Sequence, residues 1–369
     1  EAWKYGERAF RYCQLDAGHA QGALRYAAAV LGWGLRRLAS PGPAALASLL
    51  GLDRAADFGR AEAEEPEALL QVLAPGLPAD AAVPAAASLQ GWAGQANRLD
   101  AHPMYRWPVI DAVAHATRVG TDAPVATAAS VSPVPRADMP QPLPAASLIR
   151  QRRSAQQFDR RAPMSAASLH ALAAALQPAA GLPWDLWPAP ARVHPVFFVH
   201  RVDGLAPGAY LLPRGDGALQ RLSAALAPGL PWQPVPGSPL WQLAANPALA
   251  GTLRTLCCHQ ALASDANVAV ALLAEFDLAL AAQGPAGYRH LLQEAGLLGQ
   301  VLYMEAEARG HQGTGIGCFF DDALHQLLGI TGTALQSLYH FTLGTARLDP
   351  RITTLPPDAG GATTPEPAP

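Results

Sequence analysis

The chain repeats itself. Phe10-Arg11-Tyr12 has a counterpart in Tyr288-Arg289-His290, and Asp16-Ala17-Gly18 has one in Glu294-Ala295-Gly296. Leu24, Ala28 and Gly32 return as Leu302, Ala306 and Gly310, and Leu49-Leu50-Gly51-Leu52 returns as Leu327-Leu328-Gly329-Ile330. Every pair stands 278 positions apart without a gap. Each copy reads as a long helix, a turn and a second short helix. Leu15, Ala23, Tyr26, Ala27 and Val30 fall near helical spacing before Gly32, and Leu297, Val301, Met304 and Ala308 do so before Gly310. Copy one opens the chain and copy two lies near its end. This predicts two homologous halves, the first without its front part.

Half of the 369 residues are hydrophobic and 15% are charged, with a formal net charge of −3. This is enough apolar material for more than one ordinary domain. It lacks the basic excess expected of a nucleic-acid binder. The most apolar long stretch, 266–282, contains Glu275 and Asp277, which predicts a buried or half-buried helix rather than a membrane span. Cys13, Cys257, Cys258 and Cys318 have no metal-ligand spacing and read as buried free thiols of a reducing compartment. The histidines show no metal-ligand spacing either, so no metal site is expected. No signal peptide is visible, and the expected location is the cytoplasm.

Between the copies, the acidic run 61–67 predicts a short helix and 109–117 a second one, while 121–144, rich in Pro, Ala and Ser, reads as an extended linker. From residue 145 a compact α+β domain is expected. Helices are predicted over 146–151 and 165–176, the latter capped by Ser165. Strands are predicted over 193–202, 208–212 and 335–344, and 267–276 is either strand or helix. The division is 1–60 for the end of a first repeat, 61–144 for a connector, 145–355 for a second repeat and 356–369 for a disordered tail.

Three clusters carry candidate chemistry. Arg152, Arg153 and Ser154 offer two guanidiniums and a hydroxyl to a phosphate, or else form a solvated helix end. Residues 310–320 (GHQGTGIGCFF) permit close backbone approach to a flat ligand, or else form a flexible loop. The spacing matches neither a dinucleotide-binding fingerprint nor a P-loop. Lys4 and Tyr5 can act as acid and base only if burial shifts them.

Taken in order, these stretches resemble the nitroreductase-like FMN family, and within it the SagB-type dehydrogenase branch. Ser147 to Phe158 is similar to the family's RRSxRxF opening. Residues 194–199 resemble the strand after its Ser/Gly loop, and 201–210 (RVDGLAPGAY) resemble the V-x-G-L-x-P-G-x-Y segment of the branch. Residues 339–344 with Asp349-Pro350-Arg351 look like its C-terminal end, and Lys4 to Arg11 with Asp16 to His19 resembles the helix motif again.

The resemblance implies a nitroreductase-like fold in tandem, pseudo-dimeric form, with FMN at the interface between the halves and a further homo-dimer open. It implies that Arg152, Arg153 and Ser154 hold the FMN phosphate and ribityl chain. Gln156 stands where the family has a second arginine. Gly315, Ile316, Gly317 and Cys318 would offer backbone contacts to the flavin, and Arg351 would reach the phosphate. In copy one the matching residues are Arg37, Leu38, Ala39 and Ser40, without glycines, so no flavin is expected there. Conversely, Lys4 and Tyr5 match the branch's acid/base pair, while copy two has Ala282 and Gln283. Residues 188–193 replace the Ser/Gly loop with a Pro/Ala run. The activity implied is oxidation of thiazoline or oxazoline rings in a ribosomally made peptide, with a cyclodehydratase as partner. The alternatives are an NAD(P)H-dependent nitro or quinone reductase, and a degenerate flavin fold that binds a partner without catalysis.

Overall fold

The computed structural model describes residues 1–78, 83, 91–100, 102, 104–118, 143–187 and 189–355. Residues 121–142 of the linker predicted over 121–144, and the predicted tail over 356–369, lie outside the described residues. The chain opens with helix α1 (Ala2–Tyr5), a 3-10 turn and the long helix α2 (Ala9–Val30). Strand β1 (Gly34–Leu38), helices α3 (Pro43–Leu50) and α4 (Ala55–Phe58), strand β2 (Leu69–Leu73) and helix α5 (Pro108–Ala116) follow. The larger part continues with α6 (Ala145–Gln151), β3 (Met164–Ser165), α7 (Ala166–Ala175), β4 (Val193–Val199), β5 (Val202–Asp203), β6 (Gly208–Leu211) and α8 (Ala218–Ala225). Then come β7 (Gln233–Pro234), β8 (Trp241–Ala245), α9 (Leu249–Leu256), α10 (Ala261–Asp265) and β9 (Val268–Glu275). The last elements are α11 (Phe276–Gln283), α12 (Ala286–Ala308), β10 (Gln312–Ile316), α13 (Asp321–Leu328) and β11 (Leu335–Gly344).

Seven strands form one antiparallel sheet in the order β10-β11-β9-β4-β6-β8-β7. Side chains alternate across it, as the pleat requires. Val193, Phe197, Val268, Val270 and Leu272 join one core with helices α7 and α12. Val196, Phe198, Ala269, Ala271 and Leu273 join the other with α8, α9 and α13. Both faces are covered, so β9 is apolar from Val268 to Ala274. The expected helix over 266–282 is therefore a buried strand followed by a short helix. The strand predicted over 335–344 is β11, and Ser165 caps α7 by accepting from Ser168 N at 3.1 Å.

The repeat is visible in the elements. Strands β1 and β10, helices α2 and α12, and helices α3 and α13 occupy matching positions, and Gly51 and Gly329 end the short helices in the same left-handed conformation. Each copy contains a strand that the sequence reading missed, β1 paired with β2 and β10 paired with β11. Helix α2 crosses α12 at Gly18 and Gly296. A methyl on Gly18 would overlap the carbonyl oxygen of Gln293, and one on Gly296 that of Leu15. Leu15 and Gln293 are themselves repeat partners, so the crossing is reciprocal.

A buried ion pair ties α12 to the chain beside the sheet, and a buried carboxylate at the end of β9 collects two partly exposed arginines. Arg214, 1% exposed, donates to Glu294 Oε1 at 2.5 Å and to the carbonyls of Leu176 and Val193. Glu294 also accepts from the main-chain N–H groups of Arg192 and Val193 at the start of β4. Glu275 is bonded by Arg221 and Arg192. Burial alone would raise its carboxyl, but hydrogen bonds from His194 and Arg221 outweigh that and hold it at about 2.

The acidic run 61–67 is not a helix. Its carboxylates are used elsewhere: Glu65 and Glu67 receive the buried Arg289 guanidinium, and Glu67 also receives Gln14 and Gln293. The cysteine reading is corrected too. Cys258 and Cys318 form a disulfide, Cys257 is a buried thiol, and Cys13 is exposed.

Gly18→Ala and Gly296→Ala should each destabilise the protein by about 3 kcal/mol through overpacking at the crossing. Gly251→Ala, a helical position with open space, should stabilise it by about 0.5 kcal/mol. Urea unfolding midpoints of the three variants check the contrast.

Candidate functional site

The candidate site forms where α2, α12, β10, β11 and the chain after α6 meet. After α6 the chain runs beside β10. Ala155 N donates to Gly313 O at 3.1 Å, and Thr314 Oγ1 donates to Ala155 O at 2.5 Å. This brings Arg152 and Ser154 to α12. The Ser154 and Tyr303 hydroxyls share a hydrogen bond of 3.0 Å, and the Arg152 guanidinium lies 4.6 Å over the Tyr303 ring. Arg152 Nη1 is buried and has no hydrogen-bond partner. Arg25 Nη1, Arg201 Nε and Arg289 Nε are in the same state; an unmet buried charged donor is unfavourable unless an acceptor reaches it.

Strand β10 is built around missing side chains. A methyl on Gly315 would overlap the Tyr339 hydroxyl, one on Gly313 the Phe341 ring, and one on Gly317 the Tyr12 ring. The glycine segment is therefore an edge strand sealed by aromatic rings rather than a flexible loop. Gly315 N donates to the Tyr303 hydroxyl at 3.1 Å, so this N–H already has a partner. The main-chain N–H groups of Gly317 and Cys318 donate to no group among the described residues. The Ile316 side chain is 2% exposed and packs in the core on the far face of the sheet.

Helix α2 contributes His19, which the sequence reading did not single out. Its ring fills the space left by Gly299 on α12. Nδ1 lies 3.2 Å from Gln300 Oε1, and Nε2 lies 3.3 Å from the Tyr339 hydroxyl. Burial lowers the imidazole to about 4, against the Gln300 hydrogen bond and helped by the nearby Arg152 charge. It is neutral at pH 7. An amide oxygen only accepts, so Nδ1 carries the proton and Nε2 accepts from Tyr339. Burial also raises Tyr339 well above its ordinary value, so its hydroxyl keeps its proton.

The remaining predicted residues fall on both sides of this cluster. Tyr5 packs edge-on against Tyr12, 4.5 Å between centroids, and Tyr12 in turn lies against Gly317. Lys4 Nζ stands 4.9 Å over the Tyr5 ring. The Tyr5 hydrogen bond, and then its charge, raise the fully exposed Lys4 above its ordinary value. Lys4 is therefore an ammonium. Arg153 turns away from Ser154 and donates to the carbonyls of Arg150, Arg152 and Leu355. Gln156 lines a separate cavity of about 840 Å³ with Arg160, Arg161, Asp265 and Arg347. Arg351 is exposed and paired with Asp349 at 2.6 Å.

The other end of the crossing is closed. Arg37, the repeat partner of Gly315, lies 5.3 Å over the Trp187 ring and donates to Gln21 Oε1 at 3.2 Å and Gln293 Oε1 at 3.3 Å. Arg25, the repeat partner of Tyr303, is paired with Asp185 through Nη2, while its Nη1 is buried without a partner. Pro188, at the start of the altered Ser/Gly loop, lies outside the described residues. Among the described residues no cluster of His, Cys, Asp and Glu suits a metal ion, and no helix is long and apolar enough to cross a membrane.

The fold is a nitroreductase fold. The chain is similar to a nitroreductase-class protein of Anabaena variabilis, with TM-score 0.64 and 22% identity, over 94% of this chain and 67% of that one. Slighter likenesses are to a nitroreductase-class protein of Ralstonia eutropha (TM-score 0.39, 14% identity, 58% of this chain and 89% of that one) and to a chain of the E. coli microcin synthetase McbBCD complex (TM-score 0.41, 15% identity, 54% and 70%). No family model matches the chain, and no curated protein matches it.

His19 protonates at about 4 when folded and near 6.5 when unfolded. Between those values the unfolded chain binds more protons, so stability should fall as pH drops from 6.5 to 4. The unfolding midpoint measured across that window should decline less steeply in His19→Gln than in the parent protein, since His200 and His290, also lowered by burial to about 4, keep part of the slope.

Proposed function

We propose that the chain is a tandem, pseudo-dimeric nitroreductase-fold enzyme that binds one FMN at the α2–α12 seam. On this reading it oxidises thiazoline or oxazoline rings of a ribosomally made peptide to azoles. The observation that carries the reading is the buried, unpartnered Nη1 of Arg152. It lies beside the Ser154 hydroxyl and on the same strand edge as the free N–H groups of Gly317 and Cys318. An anionic group joined to a flat, acceptor-rich ring satisfies all of these donors, and FMN has that chemistry.

FMN, when bound, supplies the hydride acceptor. Arg152 and Ser154 hold its phosphate and ribityl chain, while Gly317 and Cys318 hold the ring edge. Arg153 orders the C-terminal segment through Leu355, and Arg351 approaches the phosphate only by leaving Asp349. Gln156, on its separate cavity, makes at most a peripheral contact. Ile316 acts through its main chain alone. His19, Tyr339 and Tyr303 form a neutral hydrogen-bonded layer under β10 that fixes the strand without adding charge. Lys4 and Tyr5 reach the same edge through Tyr12. Lys4, as an ammonium, would supply positive charge or a proton at that edge, and Tyr5 would position it, with the proton lost from the ring passing to solvent.

The seat at the opposite end of the crossing is filled by Arg37 and Trp187, so the stoichiometry is one FMN per chain. A substrate that already carries an azoline ring must come from a cyclodehydratase, which is the partner the reaction requires.

Purified protein should show oxidised-flavin absorption bands and release FMN on denaturation. With an azoline-containing peptide and oxygen it should form the azole, and Lys4→Ala should lower turnover by about a hundredfold without changing FMN content. Unchanged turnover in Lys4→Ala removes that residue from the mechanism. Turnover of nitro compounds or quinones with NAD(P)H, and none of azolines, would make the protein a generic reductase. A colourless protein that does not take up added FMN would leave a scaffold.

A further inference from the structure

The loop after β10 is fastened on every side. Gly317 lies under the Tyr12 ring, and Phe319 stacks on His340 with 4.1 Å between centroids. Phe320 N donates to Leu256 O at 2.9 Å, and Gln260 Nε2 donates to both Cys257 O and Cys318 O. The covalent anchor is the disulfide from Cys318 to Cys258, across 60 residues that include β9, α12 and β10.

Cys258 sits in a strained turn. Cys258 and His259 are both non-glycine residues with left-handed backbone, φ 55° and 60°. Such conformations persist only where their surroundings impose them. Here the imposing groups are Gln260, the Phe320–Leu256 bond and the disulfide itself. Both disulfide cysteines are half-buried and His259 beside them is exposed, so the bond can be reached from solvent. Cys257 is buried, and burial pushes its thiol up to about 12, which keeps it from competing as a nucleophile.

We propose that Cys258–Cys318 is a redox modification site through which a dithiol sets how firmly the 317–320 loop is held. A thiolate of the dithiol attacks one sulfur of the pair, the S–S bond breaks, and the other cysteine leaves as a thiolate and takes a proton. The second thiolate of the dithiol then attacks the mixed disulfide and releases the first cysteine. Two electrons pass to the protein, which gains two thiols, and the dithiol becomes a disulfide. The strained turn relaxes, and the loop that carries the Gly317 and Cys318 N–H groups loses its covalent anchor. The consequence for FMN rests on the function proposed above, whereas the exchange itself does not.

The experiment uses the full chain, purified without reductant and studied without added flavin. Native titration with an aromatic disulfide reagent should find one reactive thiol, Cys13. After treatment with dithiothreitol and desalting it should find three, with Cys257 silent until the protein is unfolded. Hydrogen exchange over 257–260 and 317–320 should quicken by about tenfold on reduction. It should be fast with or without reductant in Cys258→Ser/Cys318→Ser. Added FMN should then bind several-fold more weakly to the reduced protein and to the double variant. Failure of dithiothreitol to release two thiols from the native protein, or their release with unchanged exchange in both segments, would overturn the proposal. Failure to bind FMN in either state overturns the flavin reading alone.

Discussion

Two helices touch backbone to backbone at Gly18 and Gly296, and the rest of the molecule takes its geometry from that contact. Close-packed interiors leave no slack at such a crossing, because a single methyl on either glycine meets a carbonyl oxygen of the other helix. Helix α12 is tied to the seven-stranded sheet by the buried Glu294–Arg214 pair and by the start of β4. Helix α2 has only β1 and β2 as a sheet of its own. The place of Tyr5, Tyr12 and His19 over β10 is therefore set by how closely α2 can approach α12, and two residues without side chains determine it.

The same crossing explains how one repeat yields two different ends. At one end the partners are His19, Tyr303 and Gly315, a neutral hydrogen-bonded layer beside an unpaired Arg152 nitrogen. At the other end the corresponding positions hold Leu297, Arg25 and Arg37, whose guanidiniums engage Asp185, Gln21, Gln293 and the Trp187 ring. Each end keeps one buried guanidinium nitrogen without a hydrogen-bond partner, Arg152 Nη1 at the first and Arg25 Nη1 at the second. The two ends differ instead in their strands: Gly313, Gly315 and Gly317 stand at the first where the second has Leu35, Arg37 and Ala39.

Much of this was legible in the sequence where pattern and packing agree. The repeat, α2, α12, the cap at Ser165 and β11 follow from periodicity and cap chemistry. Strands β1 and β10 did not, because Gly34, Gly313 and Gly315 weaken strand propensity. In β10 the missing side chains are replaced by the cross-strand rings of Phe341 and Tyr339, a compensation between distant residues that no local window contains. The 61–67 run has helical composition, but Arg289 draws its carboxylates into an extended path. Strand β9 was ambiguous because a sheet covered on both faces erases alternation. The disulfide was missed because Cys318 lies far along the chain from the Cys257–Cys258 pair. Arg152 and Ser154 were singled out from their side chains alone. His19, Tyr303 and Tyr339 meet only after folding, and each alone reads as an ordinary core residue.

The central claim is that both halves build one flavin seat and that only one remains open. Its most direct test is calorimetric titration of FMN into the flavin-free full chain and into Arg152→Ala. The account expects one FMN per chain with submicromolar affinity, weakened by about a hundredfold when the unpaired guanidinium is removed, as loss of a charge-assisted contact to phosphate implies. Two FMN per chain, or an affinity indifferent to Arg152, would contradict it.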